Sequence, residues 1–165
     1  MLYNFDRHIP GSIASIAPLF RDAGAKLCAV YMADTLNAGS RPFEDSDDIF
    51  YEFQPDVRRD HIVPKIGGSP FRDGYIDDVL RKNSITHILA CGFNLSACVR
   101  DTVEDGLAAG YDTTLLQDLT GNNRYYPHDT DSVLEAYDKR VRIAHTEDFT
   151  APQSRLSLIQ LPDGP

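Results

Sequence analysis

The chain has 165 residues, close to the roughly 150 that make one domain, so a single domain over 1–165 is expected. Apolar residues make up 42% and charged residues 25%, enough for an ordinary core and unlike the lean, highly charged composition of a disordered chain. Against 25 Asp and Glu there are 16 Lys and Arg, a formal charge of −9; binding to a phosphate backbone needs clustered basic side chains, and nucleic acid is excluded as an expected partner.

The chain opens MLYNFDRHIPG, with neither a basic start nor an apolar stretch of signal-peptide length, and no later apolar run approaches the roughly 20 residues of a membrane span. A cytoplasmic protein with no membrane partner is expected. Leu2 to Phe5 is strand-like and ends at Asp6. From Ser12 to Arg21, Ile13, Ile16, Ala17 and Phe20 recur at helical spacing, with Ser12 as N-cap and Gly24 as stop. Leu27 to Met32 is continuously apolar, as in a strand covered on both faces. Segment 34–64 is rich in Asp, Pro, Ser and Gly without a sustained period, and reads as a long excursion of the kind that often carries function.

Asp73 can cap a helix carrying Ile76, Val79 and Leu80, followed by a buried strand from Ile85 to Cys91. A third helix starts near Cys98 with Val99, Val103 and Leu107 on one face and ends at Gly110, and Thr113 to Leu116 is the next strand. A loop from Gly121 to His128, a helix with Val133, Ala136 and Tyr137, a strand from Val141 to Ala144 and an edge strand SLIQL complete the pattern. Strands alternating with helices of this length predict right-handed βαβ units: an α/β, Rossmann-like three-layer α/β/α sandwich with a mostly parallel central sheet.

Sites in such sheets lie at the carboxyl ends of the strands. Two features fall there, Cys98 and the loop from Asp118 to Asn123. A thiol at the start of a helix meets unpaired N–H groups and the positive end of the helix dipole, both of which favour thiolate. The same N–H groups suit the oxygen of a tetrahedral intermediate. Geometry alone leaves two readings of Cys98 open, a nucleophile or a buried structural thiol. Cys28 and Cys91 lie within apolar strands and read as small hydrophobes. The odd number of cysteines fits neither a zinc ribbon nor a secreted disulfide framework. Asp118 reads as a turn cap or a pocket residue, and His128 and Asp129 as caps of the helix that follows.

The run G-F-N-L-S-A-C-V from Gly92 to Val99, followed by Asp105, Gly110, Tyr111 and Asp118, and preceded by PKIGGSPF with Lys65, Ser69 and Phe71, resembles the isochorismatase-like cysteine hydrolases over about residues 12–149. The spacing from Lys65 to Ser69 is one residue longer than the usual pattern. The resemblance implies a catalytic Asp, Lys and Cys, with Cys98 as nucleophile and Lys65 beside it. It also implies an oxyanion hole at Asn94 and Cys98, with the peptide before Asn94 often cis. Phe71, Phe93 and Tyr125 are the candidates to line the substrate pocket. For the acid, two readings stay open. Either Leu2 to Phe5 is a clipped first strand and Asp6 is catalytic, or that strand is missing and Asp6 is a loop residue.

Related nicotinamidases bind a metal through one Asp and two His, whereas ADTLNAGSRPFED here, after the strand at 27–32, holds no histidine; no metal and no cofactor are expected. The implied activity is hydrolysis of a small amide, or a related C–N or ester bond, through a covalent Cys98 intermediate. The alternative is a catalytically silent member that binds a metabolite or partner. Relatives commonly assemble as dimers or tetramers, so a homo-oligomer acting on a small-molecule substrate is expected.

Overall fold

The computed structural model describes residues 8–32, 53, 55–72, 74–122 and 129–150. The order of elements is α1 (His8–Asp22), β1 (Cys28–Met32), β2 (His61–Lys65), α2 (Tyr75–Lys82) and β3 (His87–Phe93). A π-helical turn (Leu95–Val99) then leads into α3 (Arg100–Ala108), β4 (Asp112–Gly121), α4 (Thr130–Glu135), β5 (Arg142–Ala144) and α5 (Glu147–Thr150). This is the expected alternation, and every strand pairing is parallel: β1 with β2, β3 with β4 and β4 with β5. Among the described residues the strands form a two-stranded and a three-stranded sheet. None of the described helices is long and apolar enough to cross a membrane. The expected strands at Leu2 to Phe5 and SLIQL lie outside the described residues.

Helix α1 begins at His8, one turn before the expected Ser12 cap. The chain can turn helical there because the first-turn N–H groups have no intrahelical partner, so Pro10 loses nothing by lacking one. Ser12 is therefore inside the helix, where its carbonyl accepts from the Ser15 hydroxyl at 2.8 Å. Gly24 does stop it, with φ +89°, and the Ala25 N–H reaches back to the Phe20 carbonyl. The end of α1 is tied to the start of β2 by an ion pair between Arg21 and Asp60, whose side chains are 13% and 1% exposed. Asp60 also accepts from the Asp56 N–H at 2.7 Å. Burial opposes the Asp60 charge, but the guanidinium of Arg21 and the Asp56 N–H outweigh it, and the carboxyl titrates below its usual range.

The excursion read over 34–64 ends in a strand, β2, that the sequence reading did not separate from it. Pro64 obscured it, since proline is depleted in strands, yet here it stands opposite Tyr31 in the ladder with β1. Helix α2 is capped by Gly74, at φ +72°, in place of the expected Asp73, which lies outside the described residues. A left-handed residue at that position is open to glycine at little steric cost.

Two apolar clusters hold the fold. Ile76 and Leu80 of α2 pack with Val63 of β2 and Tyr111, and Cys28, Val30, Ile85 and Ile88 join them, so α2 bridges both sheets. Val99, Val103, Leu115, Val133, Tyr137 and Val141 form the second cluster around the π-turn, α3 and β4. The helical face expected from Val99, Val103 and Leu107 is thus the packed face. Strand β3 departs from the expected full burial: His87 and Cys91 are exposed. Among the described residues β3 is the outer strand of its sheet. Cys28 is half-buried, and burial pushes its thiol up to about 11, with Asp60 adding to the shift.

Candidate active site

Cys98 lies on the π-turn that leaves β3 and becomes α3. β3 ends at Phe93, and the peptide between Phe93 and Asn94 is cis, the bond at which the resemblance places one. Asn94 is extended, with φ −105° and ψ 139°, and its carbonyl accepts the N–H groups of Ala97 and Val99, both at 3.1 Å. A regular α-turn would instead give that carbonyl the N–H of Cys98, four residues on. The widened turn passes over the cysteine amide at the point where the helix presents its positive end. The Cys98 carbonyl is held in turn by the Thr102 hydroxyl at 2.6 Å.

Two distant side chains hold this turn. The Asn122 side-chain oxygen, just past the end of β4, accepts from the Ser96 N–H at 3.0 Å and from the Ser96 hydroxyl at 3.1 Å. From beyond α4, the buried Tyr137 hydroxyl donates to the Leu95 carbonyl. Burial pushes the Tyr137 phenol above its usual range, which keeps it a donor. Removing it leaves the Leu95 carbonyl buried without that partner. Tyr137→Phe is therefore expected to lower stability by about 1–3 kcal/mol, read as a lower urea midpoint with an unchanged slope. An unchanged midpoint would mean that the bond does not hold the turn.

Lys65 is the last residue of β2 and only 6% exposed. Its ammonium donates to the carbonyls of Gly67 at 2.8 Å and Gly68 at 2.9 Å. An isolated buried ammonium is costly, and these two carbonyls satisfy two of its three donors. The loop that supplies them is docked on α3: a Cβ at Gly68 would overlap the Asp101 carboxylate. Arg72 binds Asp101 at 3.1 Å and approaches Asp105 at 3.5 Å. Asp101 is three residues past Cys98, so the lysine loop rests on the helical turn that follows the cysteine. The chain from Lys65 to Cys98, 33 positions on, thus folds back onto the start of one helix.

The remaining expected site residues are more scattered. Phe71 packs its ring against Tyr111, with centroids 5.9 Å apart, and covers Gly106. It borders a surface groove of about 350 Å³ shared with Arg72, Gly74, Asp77, Asp105 and Ala109, whose lining does not include Cys98. Phe93 is half-buried at the end of β3. Asp6 and Tyr125 lie outside the described residues. Asp118 accepts from the N–H of Thr146 at 3.0 Å and from its hydroxyl, and so caps α5. Asp129 caps α4 through the Ser132 N–H at 3.3 Å. Asn122 falls within the expected loop from Asp118 to Asn123, of which Asp118 to Gly121 instead extend β4, but its contact with Ser96 and that of Tyr137 with Leu95 span 26 and 42 residues and leave no local signal.

A family model described as the isochorismatase domain matches residues 9–147. Among curated proteins, the ureidoacrylate amidohydrolase RutB of Azorhizobium caulinodans is 36% identical over 61 residues, 37% of this chain and 27% of the relative. The match therefore spans about a quarter of that protein's length. Among solved structures, an isochorismatase-like hydrolase from Alkaliphilus metalliredigens superposes with a TM-score of 0.71 at 20% identity, covering 86% of this chain and 80% of its own. The N-carbamoylsarcosine amidase of Thermoplasma acidophilum superposes with a TM-score of 0.64 at 22% identity, covering 84% and 83%. At these identities the two structures establish a shared fold.

Proposed function

The chain belongs to the isochorismatase domain family, and from that premise we propose that it is an amidase-type hydrolase that cleaves a small C–N bond through a thioester on Cys98. The observation that carries this reading is the π-turn. It puts a cysteine at the mouth of β3 and lets the Asn94 carbonyl pass over the cysteine's own N–H. Nucleophile and oxyanion donor thus come from one residue.

In the proposed reaction the Cys98 thiolate adds to the substrate carbonyl carbon, and the carbonyl oxygen becomes an oxyanion held by the Cys98 N–H together with the N–H of Asn94. The C–N bond breaks and the amine leaves with a proton, giving the thioester. Water then adds to the thioester carbonyl, the C–S bond breaks, and the acid departs while sulfur regains its proton. Lys65 has two donors bound to Gly67 and Gly68, and we assign its third to stabilising the negative charge at sulfur. Asp6 is proposed as the group that carries the proton between sulfur and leaving amine. The names of RutB and of the N-carbamoylsarcosine amidase, an amidohydrolase and an amidase, support amide substrates.

The test is a panel of primary carboxamides and N-carbamoyl amino acids, read by ammonia release and by the intact mass of acid-quenched enzyme. The expected result is turnover of at least one amide with a transient acyl adduct on the peptide holding Cys98. Turnover that persists in Cys98→Ala would overturn the covalent mechanism, and binding without turnover across the panel would favour a silent metabolite binder.

A further inference from the structure

We propose that Asn122 is a positioning residue for the oxyanion hole, acting through Ser96; the inference rests on Cys98 being the nucleophile. Ser96 and Cys98 sit on the same π-turn, two residues apart, and neither amide is taken by the Asn94 carbonyl, although a regular α-turn would give that carbonyl the Cys98 N–H. They are nonetheless treated differently. Asn122 takes the Ser96 N–H and the Ser96 hydroxyl onto a single side-chain oxygen, at 3.0 and 3.1 Å. The Ala97 and Val99 amides are taken by the Asn94 carbonyl, at 3.1 Å each. Three of the amides around the nucleophile are therefore committed to protein acceptors, and the amide of Cys98 is passed over by the carbonyl that an α-turn would offer it.

The clamp reaches across the sheet. Asn122 directly follows Gly121, which stands opposite Phe93 in the β3–β4 ladder. The contact thus fixes the π-turn relative to the ends of the two strands whose carboxyl edge carries the site. An amide aimed at a developing oxyanion is effective only while its direction is fixed before reaction. Freed from Asn122, Ser96 regains two unplaced donors and the turn loses its cross-sheet anchor. The direction of the Cys98 N–H is what changes, while the sulfur keeps its neighbours.

Two reagents separate these effects. Iodoacetamide alkylates sulfur by displacement of iodide and creates no oxyanion. p-Nitrophenyl acetate acylates it: the thiolate adds to the ester carbonyl, the C–O bond breaks, p-nitrophenolate leaves and acetyl-Cys98 remains. In Asn122→Ala, acylation is expected to slow at least tenfold while alkylation of Cys98 stays within twofold of the native rate. Ser96→Ala, which loses only the hydroxyl contact, is expected to slow acylation about threefold with alkylation unchanged.

Equal slowing of both reactions in Asn122→Ala, or no slowing of acylation, would overturn the positioning role. Should Asn122→Ala unfold, seen as rapid labelling of Cys28 as well, Ser96→Ala decides: an acylation rate equal to that of the native protein overturns the proposal. If native Cys98 reacts with neither reagent, the nucleophile reading itself fails and this inference falls with it.

Discussion

Replacing Cys98 by alanine is expected to lower kcat for the proposed amide hydrolysis by at least about a thousandfold, because the covalent step loses its nucleophile. The loss should fall on kcat and leave substrate binding nearly intact, since alanine removes one sulfur atom and keeps the backbone of the π-turn. The N–H groups of that turn would still bind the carbonyl oxygen, so a residual, non-covalent rate above that of water is compatible with the reading. Fold should survive. Cys98 is only half-buried and outside both apolar clusters, so the thermal midpoint should move little. A variant retaining a tenth or more of native kcat would show that the bond is broken by some other nucleophile, water included.

The second large effect concerns stability. Arg21→Ala is expected to lower the unfolding free energy at pH 7 by about 3–5 kcal/mol, because it strands a buried carboxylate. The Asp60 side chain is 1% exposed, and its charge is supported chiefly by Arg21 and by the Asp56 N–H. The expected pH dependence follows from the direction of the Asp60 shift. Its folded pKa is depressed, so the stability it contributes is fully present above the unfolded value of about 3.9 and is lost as pH falls through the lower folded value. In Arg21→Ala the guanidinium is gone and burial is opposed only by the Asp56 N–H and the charge of Arg59, so the carboxyl rises from its native value. The difference between native and variant should therefore narrow as pH falls below about 4, where the native protein surrenders the same term. Urea unfolding at pH 7 and at successive values down to pH 3 measures this. A difference independent of pH would mean that Arg21 acts through packing of its stem rather than through the charge of Asp60.

The parts of the fold legible in the sequence were those written in local periodicity. Val99, Val103 and Leu107 announced α3 because one helical face meets one cluster, and Gly24 and Gly110 marked helix ends because both adopt positive φ. Strand β2 was illegible because His61, Pro64 and Lys65 hide it from any apolar count, although its ladder with β1 supplies the hydrogen bonds that a local reading cannot see. At the candidate site, Cys98 and Lys65 stood out through the spacing of a family pattern. The burial of Lys65 and the carbonyls of Gly67 and Gly68 that make it tolerable were not. Likewise, no local rule distinguishes a π-turn from an ordinary helix start at LSACV, because its shape is held by Asn122 and Tyr137 from elsewhere in the chain.

The proposed nucleophilic role of Cys98, with Lys65 stabilising negative charge at its sulfur, is checked first by brief reaction with iodoacetamide at neutral pH. Intact mass and peptide mapping are compared for the native chain, Cys98→Ala and Lys65→Met. One rapid label on Cys98 is expected, absent from Cys98→Ala and slowed at least tenfold in Lys65→Met. A Cys98 that reacts no faster than Cys28 or the exposed Cys91, or at a rate indifferent to Lys65, would overturn that role.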